Sequence, residues 1–277
     1  MASRNPLPAS REKATTRPFP GQAPPTAGPG QSHEEEQILR TLVLCGGKGT
    51  RAYPRTLEVP KPLLEVGGRP VLAHVLEIYA RQGFSDFVLA AGVMVDLIEA
   101  FAAELPHGWR VDVIDTGQDT NTGGRVAQCA PLMGETFFVT YADGLGDVDL
   151  HALASFHASH EGAATITTVP LPSQYGTVQS DNADRVTHFV EKPRLPDHRI
   201  NAGFFVLDAR ASRWFDGDDF ERQVMPALAA AGELYAYRHA GFWRSMDTYK
   251  DALELSALCD SGPPPWAAAM VPAAVAP

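Results

Sequence analysis

The chain has 277 residues, 44% of them hydrophobic, and a formal net charge of −10 at pH 7. Because a nucleic-acid surface needs a basic stripe, this acidic balance argues against nucleic acid as a partner. No stretch is long and apolar enough to span a membrane, so we expect no membrane partner either. The three cysteines, Cys45, Cys129 and Cys259, form no disulfide framework, which favours a reducing compartment and predicts a cytoplasmic protein.

The two ends of the chain differ in composition from its middle. Residues 1–37 hold seven prolines between Pro6 and Pro29 and lack the apolar core of a signal peptide, so we expect a disordered tail there. A second disordered tail is expected over residues 261–277. Residues 38–260 lie between them and are long enough for one sizeable α/β domain.

Apolar runs and helix-forming runs alternate through this domain. In chain order, the patterns predict strands over 41–46, 87–91, 110–115 and 137–141, with helices over 70–83, 94–104, 124–132 and 149–160 between and after them. Short strands over 164–169, 176–180, 185–190 and 200–207 follow, and then a helix over 220–231 and a strand over 234–239. This order predicts a three-layer αβα fold around a Rossmann-like, doubly wound mixed sheet.

A glycine-rich loop follows the first predicted strand and carries positive charge. It reads Gly46-Gly47-Lys48-Gly49-Thr50-Arg51, and Lys61 lies ten residues beyond it. Glycines let backbone N–H groups turn toward a ligand with no Cβ in the way. Arg51 and Lys61 add positive charge beside those groups. The combination is typical of a site for the polyphosphate of a nucleotide.

Two familiar phosphate loops do not fit this stretch. A P-loop ends in Gly-Lys-Ser or Gly-Lys-Thr, whereas here Lys48 precedes Gly49. A dinucleotide fingerprint needs a helix directly after the glycines, and Pro54, Pro60 and Pro62 exclude a long helix. We therefore expect a proline-stiffened loop that wraps its ligand. Ligands of doubly wound sheets bind at the carboxyl ends of the strands, so this loop marks the face that holds the site.

Further motifs follow in order and resemble those of the sugar-1-phosphate nucleotidylyltransferase family, closest to its glucose-1-phosphate cytidylyltransferase branch. They are Leu44-Cys45-Gly46-Gly47-Lys48-Gly49-Thr50-Arg51, Pro60-Lys61-Pro62, Asp115-Thr116-Gly117, Thr122-Gly123-Gly124-Arg125, Thr140-Tyr141-Ala142-Asp143-Gly144, Glu191-Lys192-Pro193, Asn201-Ala202-Gly203-Phe204-Phe205 and Phe242-Trp243-Arg244-Ser245-Met246-Asp247-Thr248. The similarity runs from about residue 41 to 258. Ala142, Ala202 and Val59 depart from the branch pattern.

The resemblance implies a reaction and a set of site residues. A sugar 1-phosphate, most simply α-D-glucose 1-phosphate, would attack the α-phosphorus of a nucleoside triphosphate, most simply CTP, and release pyrophosphate. By motif, the residues would be Arg51, Lys61, Asp143 and Asp247 as catalytic groups; Asp143 and Asp247 as Mg²⁺ ligands; Leu44, Gly46, Gly47, Lys48, Gly49, Thr50, Thr120, Arg125 and Ala142 for the nucleotide; and Lys192, Asn201, Gly176 and Glu191 for the sugar phosphate. The family also implies a nucleotidyltransferase-type fold and a homo-oligomer.

Simpler interpretations stay open for single residues and for the whole domain. Asp143 could be a turn residue before Gly144, and Asp247 could cap the last helix. His151, His157 and His160 could suggest a metal but lack acidic partners at ligand spacing, which favours ordinary surface histidines. The alternative functions are a guanylyl- or other nucleotidyltransferase acting on a different hexose or heptose 1-phosphate, and a non-catalytic nucleotide-sugar-binding module.

Overall fold

The computed structural model describes residues 39–267, so the tail predicted over residues 1–37 lies outside the described residues. The helices are α1 Val71–Ala80, α2 Val95–Ala103, α3 Thr122–Cys129, α4 Leu150–Ala158, α5 Met225–Ala230 and α6 Tyr249–Asp260. The strands are β1 Thr41–Leu44, β2 Glu65–Val66, β3 Arg69–Pro70, β4 Asp86–Ala91, β5 Arg110–Asp115, β6 Thr136–Tyr141, β7 Gly144–Gly146, β8 Ala164–Pro172, β9 Thr177–Ser180, β10 Val186–Val190, β11 Arg194–Asp208, β12 Leu234–Arg238 and β13 Trp243–Ser245. Within this range no helix is both long and apolar enough to cross a membrane.

A seven-stranded sheet in the order β12-β8-β11-β6-β1-β4-β5 forms the centre of the molecule. β1 lies parallel to β4 on one side and to β6 on the other, so the chain order reverses beside β1. β11 runs antiparallel to both of its neighbours, β6 and β8. The predicted mixed, doubly wound sheet is confirmed, and its switch point lies between β1 and β6, where such folds bind ligands.

Successive side chains of the central strands enter two separate cores. Val43, Leu89 and Phe138 pack on one face of the sheet with the apolar sides of α1, α2, α4 and α6. Their neighbours in sequence, such as Leu42 and Val88, pack on the other face with α3 and α5. This alternation follows from the two-residue period of a strand. Both faces of the sheet are covered, which confirms the three-layer αβα arrangement.

Two predicted elements differ from those observed at their ends. The first strand ends at Leu44 rather than at residue 46, because the chain turns at Cys45 into the glycine-rich loop. The helix predicted over 220–231 begins as a π-helix over Phe220–Val224 and becomes α-helical only at Met225. That wide turn places Glu221 at the cavity described below.

The segment after α6 departs from the expected disordered tail that begins at residue 261. Pro265–Ala267 form a 3-10 helix, and the side chain of Trp266 is only 4% exposed. Its indole Nε1 donates to Nδ1 of His74 at 3.3 Å, and its ring lies 5.7 Å from that of Phe242. The described part of this segment is therefore packed against the core through the side chain of Trp266. Residues 268–277 lie outside the described residues.

Candidate active site

A cavity of about 550 Å³ opens at the carboxyl ends of β1 and β6, at the switch point of the sheet. Its lining comes from the glycine-rich loop, from the chain after β6, from β11 and from β13. The lining residues are Leu44, Cys45, Gly47, Gly49, Thr50, Arg51, Lys61, Pro62, Thr122, Tyr141, Ala142, Asp143, Gly144, Asn201, Ala202, Glu221, Trp243, Ser245 and Asp247. The structure thus brings together ten of the residues that the sequence assigned to the site: Leu44, Gly47, Gly49, Thr50, Arg51, Lys61, Ala142, Asp143, Asn201 and Asp247.

The glycine-rich loop is shaped by one glycine that no other residue could replace without strain. Gly49 has a φ of +60°, and a Cβ on it would lie 2.8 Å from Cβ of Lys61. Positive φ is costly for residues with a side chain. At Gly47 a Cβ would meet nothing within 4 Å, so this side of the loop faces open cavity. The loop therefore leaves room for a ligand beside its backbone at Gly47, and the binding of a nucleotide there remains a prediction.

Arg125, which the motif assigns to the nucleotide, lies under this loop rather than among the residues that line the cavity, and its contact with the nucleotide remains a prediction. Its side chain is buried, and its guanidinium donates to the carbonyl oxygens of Gly46 and Ala91, each at 2.9 Å, and to the hydroxyl of Thr116. A Cβ on Gly46 would come within 2.1 Å of Nη1 of Arg125. Arg125 and Gly46 thus hold the loop against the end of β4 and do not line the cavity.

The centre of the cavity holds an ammonium group between two carboxylates. Nζ of Lys61 lies 2.5 Å from Oδ2 of Asp143 and 3.0 Å from Oδ1 of Asp247. Arg51 adds a second cation, with Nη2 2.9 Å from Oδ1 of Asp247. Two aspartates roughly a hundred residues apart thus converge on one point in the described structure.

The small β7–β13 sheet brings the two aspartates together. β13 pairs antiparallel with β7, with Ser245 opposite Gly144. Next to this pair, the N–H of Met246 donates to the carbonyl oxygen of Asp143 at 2.9 Å. The residues that flank the two strands, Asp143 and Asp247, are therefore held side by side at the mouth of the main sheet.

Asp247 does not cap the last helix. The N-cap of α6 is Thr248, whose hydroxyl accepts from the N–H of Asp251 in a capping box. Burial by itself would raise the pKa of Asp247, but Lys61 and Arg51 more than offset it and hold that pKa below its usual value. The carboxylate is therefore charged at neutral pH and available to a cation in the cavity.

The donor set at this point fits a divalent magnesium ion shared with phosphate. Asp143 and Asp247 both lie within hydrogen-bond distance of one cationic atom, so their oxygens converge. Mg²⁺ is usually held by one or two carboxylates together with waters and substrate phosphates. Within residues 39–267 no group of three or more His, Cys, Asp or Glu side chains forms a metal cage.

The far wall of the cavity is a hydrogen-bonded network in which Asn201, expected at the sugar phosphate, joins three residues with no expected role, Tyr141, Thr122 and Glu221. Tyr141 donates its hydroxyl to Glu221 and accepts from Nδ2 of Asn201 at 3.2 Å. Thr122 donates to the other oxygen of Glu221 at 2.7 Å. Tyr141 and Thr122 stand in quoted motifs, but nothing in the pattern marks Glu221, which the π-helix brings across 99 residues of sequence to Thr122.

Five other predicted residues lie outside the cavity lining. Lys48 pairs with Asp119 at 2.8 Å on the surface, and Thr120 donates to the carbonyl oxygen of Thr116 at 2.5 Å. Gly176, Glu191 and Lys192 flank the β9–β10 hairpin, with Lys192 and Glu191 exposed and their charged groups 4.0 Å apart. Their assigned roles remain predictions.

Within residues 39–267, His151, His157 and His160 belong to no group of three or more side chains that could hold a metal ion. His157 is buried, contrary to the expectation of a surface residue, and its ring nitrogens lie 2.9 Å from the hydroxyl of Thr165 and 3.1 Å from Oδ1 of Asp208.

Cys45 is 1% exposed, and burial raises its thiol pKa to about 12. It therefore behaves as a small buried apolar residue.

Comparisons with known proteins show which family this chain resembles. Residues 40–259 match the nucleotidyl transferase family. The probable glucose-1-phosphate cytidylyltransferase of Bacillus subtilis is 36% identical over 253 residues, covering 82% of this chain and 99% of that protein. The glucose-1-phosphate cytidylyltransferase of Salmonella typhimurium is 34% identical, covering 82% of this chain and 98% of the relative.

More distant matches extend the same grouping. The mannose-1-phosphate guanyltransferase of Aspergillus fumigatus is 33% identical over 78% of this chain and 62% of its own length. A UDP-glucose pyrophosphorylase solved with UDP-glucose shares the fold, with a TM-score of 0.63 at 18% identity over 81% of this chain and 99% of that one. This chain belongs to the nucleotidyl transferase family, and its relatives by sequence are sugar-1-phosphate nucleotidyltransferases.

Proposed function

We propose that this enzyme transfers the cytidylyl group of CTP to α-D-glucose 1-phosphate, giving CDP-glucose and pyrophosphate. The observation that carries the proposal is the cavity itself, in which a backbone loop, two cations and two convergent carboxylates meet. The choice of CTP rests on the relatives. The chain spans nearly the full length of the cytidylyltransferases but only 62% of the guanyltransferase.

The reaction needs no general base from the protein. An oxygen of the sugar phosphate forms a bond to the α-phosphorus of CTP, while the bond from that phosphorus to the bridging oxygen breaks and pyrophosphate leaves with the electron pair. The second pKa of a phosphate monoester is about 6, so the nucleophile is already a dianion at neutral pH. The protein must align two anions and neutralise their charge, which can supply most of the rate enhancement.

The residues of the cavity divide this work. The N–H groups of the loop around Gly47 and the guanidinium of Arg51 would bind the phosphates of the nucleotide, because both line the cavity. Lys61 presents its ammonium where the attacking and transferred phosphates meet, because it lies at the centre of the site. Asp143 and Asp247 would hold Mg²⁺, which when bound supplies further positive charge to the phosphates.

Release of pyrophosphate tests the proposal directly. We expect the largest kcat/KM with CTP and α-D-glucose 1-phosphate among the four nucleoside triphosphates and a panel of hexose and heptose 1-phosphates in MgCl₂. Lys61→Met is the matched inactive control. A larger kcat/KM with GTP and mannose 1-phosphate would replace the substrate assignment. If no pair of nucleoside triphosphate and sugar 1-phosphate gives pyrophosphate, the enzymatic proposal is wrong and a binding module is the remaining interpretation. The homo-oligomer and the cytoplasmic location stay predictions.

A further inference from the structure

The hydrogen-bond directions in the wall of Tyr141, Glu221, Asn201 and Thr122 are set by the backbone at both ends. Oδ1 of Asn201 accepts from the N–H of Gly203 at 2.7 Å. Its amide nitrogen must therefore be the group that faces Tyr141, since a backbone N–H requires an acceptor. Nδ2 donates to the tyrosine hydroxyl at 3.2 Å.

The other end of the wall is equally determined. The hydroxyl of Thr122 accepts from the N–H of Phe220 at 3.1 Å, so its single proton is free to point to Glu221, 2.7 Å away. Tyr141 likewise accepts from Asn201, so its own proton goes to Glu221. Glu221 therefore receives one proton donor on each carboxylate oxygen. It is held as a pure acceptor, while the second N–H of Asn201 is left as a donor.

Burial keeps Tyr141 in the protonated form that this arrangement needs. The pKa of Tyr141 is raised, first by its burial and then by the charge of Glu221. Its ring lies 5.6 Å from that of Phe205, and a Cβ on Gly203 would come within 2.5 Å of it. The tyrosine is thus fixed in place by packing as well as by hydrogen bonds.

Asp143 and Asp247 are paired with Lys61 and Arg51, whereas Glu221 forms no ion pair within residues 39–267, so its charge would repel a phosphate placed beside it. The part of the ligand beside Glu221 must be free of phosphate and able to donate a hydrogen bond. We propose that Tyr141 is a positioning residue that sets Glu221 as acceptor and Asn201 as donor for one hydroxyl of the sugar substrate. This inference rests on the proposed function and adds to it the residue that orders the sugar-reading wall.

One hydroxyl satisfies both groups, because it donates its proton to Glu221 and accepts from Asn201. A hydrogen bond to a charged group contributes about 1.5–3 kcal/mol, which corresponds to a loss of about 10- to 150-fold when it is removed. We therefore expect one monodeoxy glucose 1-phosphate to lose that factor in kcat/KM with the wild-type enzyme. Tyr141→Phe keeps the ring and releases both neighbours, so its discrimination against the same analogue should fall to a few-fold.

The experiment measures kcat/KM for α-D-glucose 1-phosphate and its 2-, 3-, 4- and 6-deoxy analogues. The enzymes are the wild type, Tyr141→Phe, Glu221→Gln and the control Tyr235→Phe, which removes a hydroxyl outside the cavity. Discrimination lost in the first two variants and retained in the control supports the inference. A merely structural role for Tyr141 would lower the melting temperature without changing the ratio between substrates.

Other outcomes separate this inference from the proposed function. If the wild type is active and both Tyr141→Phe and Glu221→Gln keep its kcat/KM ratios between glucose 1-phosphate and the deoxy analogues, the inference alone is overturned. The inference is also wrong if Tyr141→Phe and Glu221→Gln instead lose discrimination against 2′- or 3′-deoxy CTP, because the wall would then contact the ribose. A wild type that releases no pyrophosphate with any sugar 1-phosphate overturns the proposed function and the inference together.

Discussion

Nη2 of Arg125 donates a 2.9 Å hydrogen bond to the carbonyl oxygen of Gly46, on the side of the loop away from the cavity. Because Nη1 also donates to the carbonyl oxygen of Ala91, this one side chain ties the phosphate loop to the end of β4. Each of these carbonyl oxygens also accepts from a backbone N–H, that of Val93 at 3.3 Å for Gly46 and that of Thr116 at 3.0 Å for Ala91, so neither would lose its last partner if the guanidinium were removed. The cost would be the lost hydrogen bonds of a buried charged group, each of which contributes about 1.5–3 kcal/mol.

We therefore expect Arg125→Met to lower the free energy of unfolding by about 3 kcal/mol. Its kcat/KM should fall as well, because the loop loses its support. Denaturant unfolding measures the first effect and pyrophosphate release the second. Arg222→Met removes an exposed guanidinium and should stay within about 0.5 kcal/mol of the wild type. If Arg125→Met has unchanged stability and only its KM for CTP is raised, the result would instead support a direct contact between Arg125 and the nucleotide.

The pairing of Asp143 and Asp247 with Lys61 predicts that the two aspartates act as one unit. Asp143→Asn and Asp247→Asn each keep the side-chain shape and remove the charge. Each should abolish most turnover, and the double variant should lose little more than either single one, since one Mg²⁺ would mediate both. Steady-state kinetics over a range of MgCl₂ concentrations measures this, and added Mg²⁺ should partly restore the single variants. Losses that multiply in the double variant would contradict a shared metal.

Thr248 provides the control that separates catalysis from helix capping. Thr248→Ala removes the N-cap of α6 and should cost about 1 kcal/mol of stability with turnover preserved. Asp247→Asn should give the opposite result, with a melting temperature close to that of the wild type and turnover lost. An Asp247 variant that melts early but keeps its rate would show that the carboxylate has a structural role only.

The site could be predicted in part because parallel strands end at one edge. Gly47 and Asp143 follow β1 and β6, which are neighbours in the sheet, so pattern and topology place them together. Asp247 reaches them through the pairing of β13 with β7, which local pattern does not show. Arg125 follows two glycines and looks like an anion binder, and only its carbonyl partners reveal its structural role. The positions of Asp247 and Arg125 depend on contacts between residues far apart in the chain, and such contacts cannot be predicted from sequence spacing.

The charges in the cavity predict a pH profile set by the substrate. Because the pKa of Asp247 is held below its usual value, this carboxylate stays charged throughout the range from pH 5 to 9. The sugar phosphate loses its second proton near pH 6. We expect kcat/KM for the sugar phosphate to rise with pH through about 6 and to level off above about 7. A rising limb with an apparent pKa well above 7 would point to a basic group on the enzyme instead.

Trp266 should contribute strongly to stability although it does not line the cavity. Its side chain is 4% exposed and packs between His74 and Phe242. Truncation of a buried tryptophan typically costs about 3–5 kcal/mol. Trp266→Ala should therefore unfold at much lower denaturant than the wild type, with Trp266→Phe in between. Tyr175→Ala, at a side chain that is 78% exposed, is the control and should change little. If Trp266→Ala is as stable as the wild type, the packing of this segment contributes nothing to stability and the prediction is wrong.

The contact between Trp266 and His74 also predicts a loss of stability in mild acid. Nδ1 of His74 accepts from the indole, so the neutral ring is required, and burial lowers the pKa of His74. Below the ordinary histidine pKa of about 6.5 the unfolded chain binds a proton that the folded chain resists, so the free energy of unfolding falls as pH decreases. We expect the melting temperature to drop between pH 7.5 and 5.5, and the drop to be smaller in His74→Gln. His107→Gln, at an exposed position, should keep the wild-type pH dependence. If His74→Gln and the wild type lose stability in parallel, the acid sensitivity belongs to other groups, such as His160, whose pKa burial also lowers.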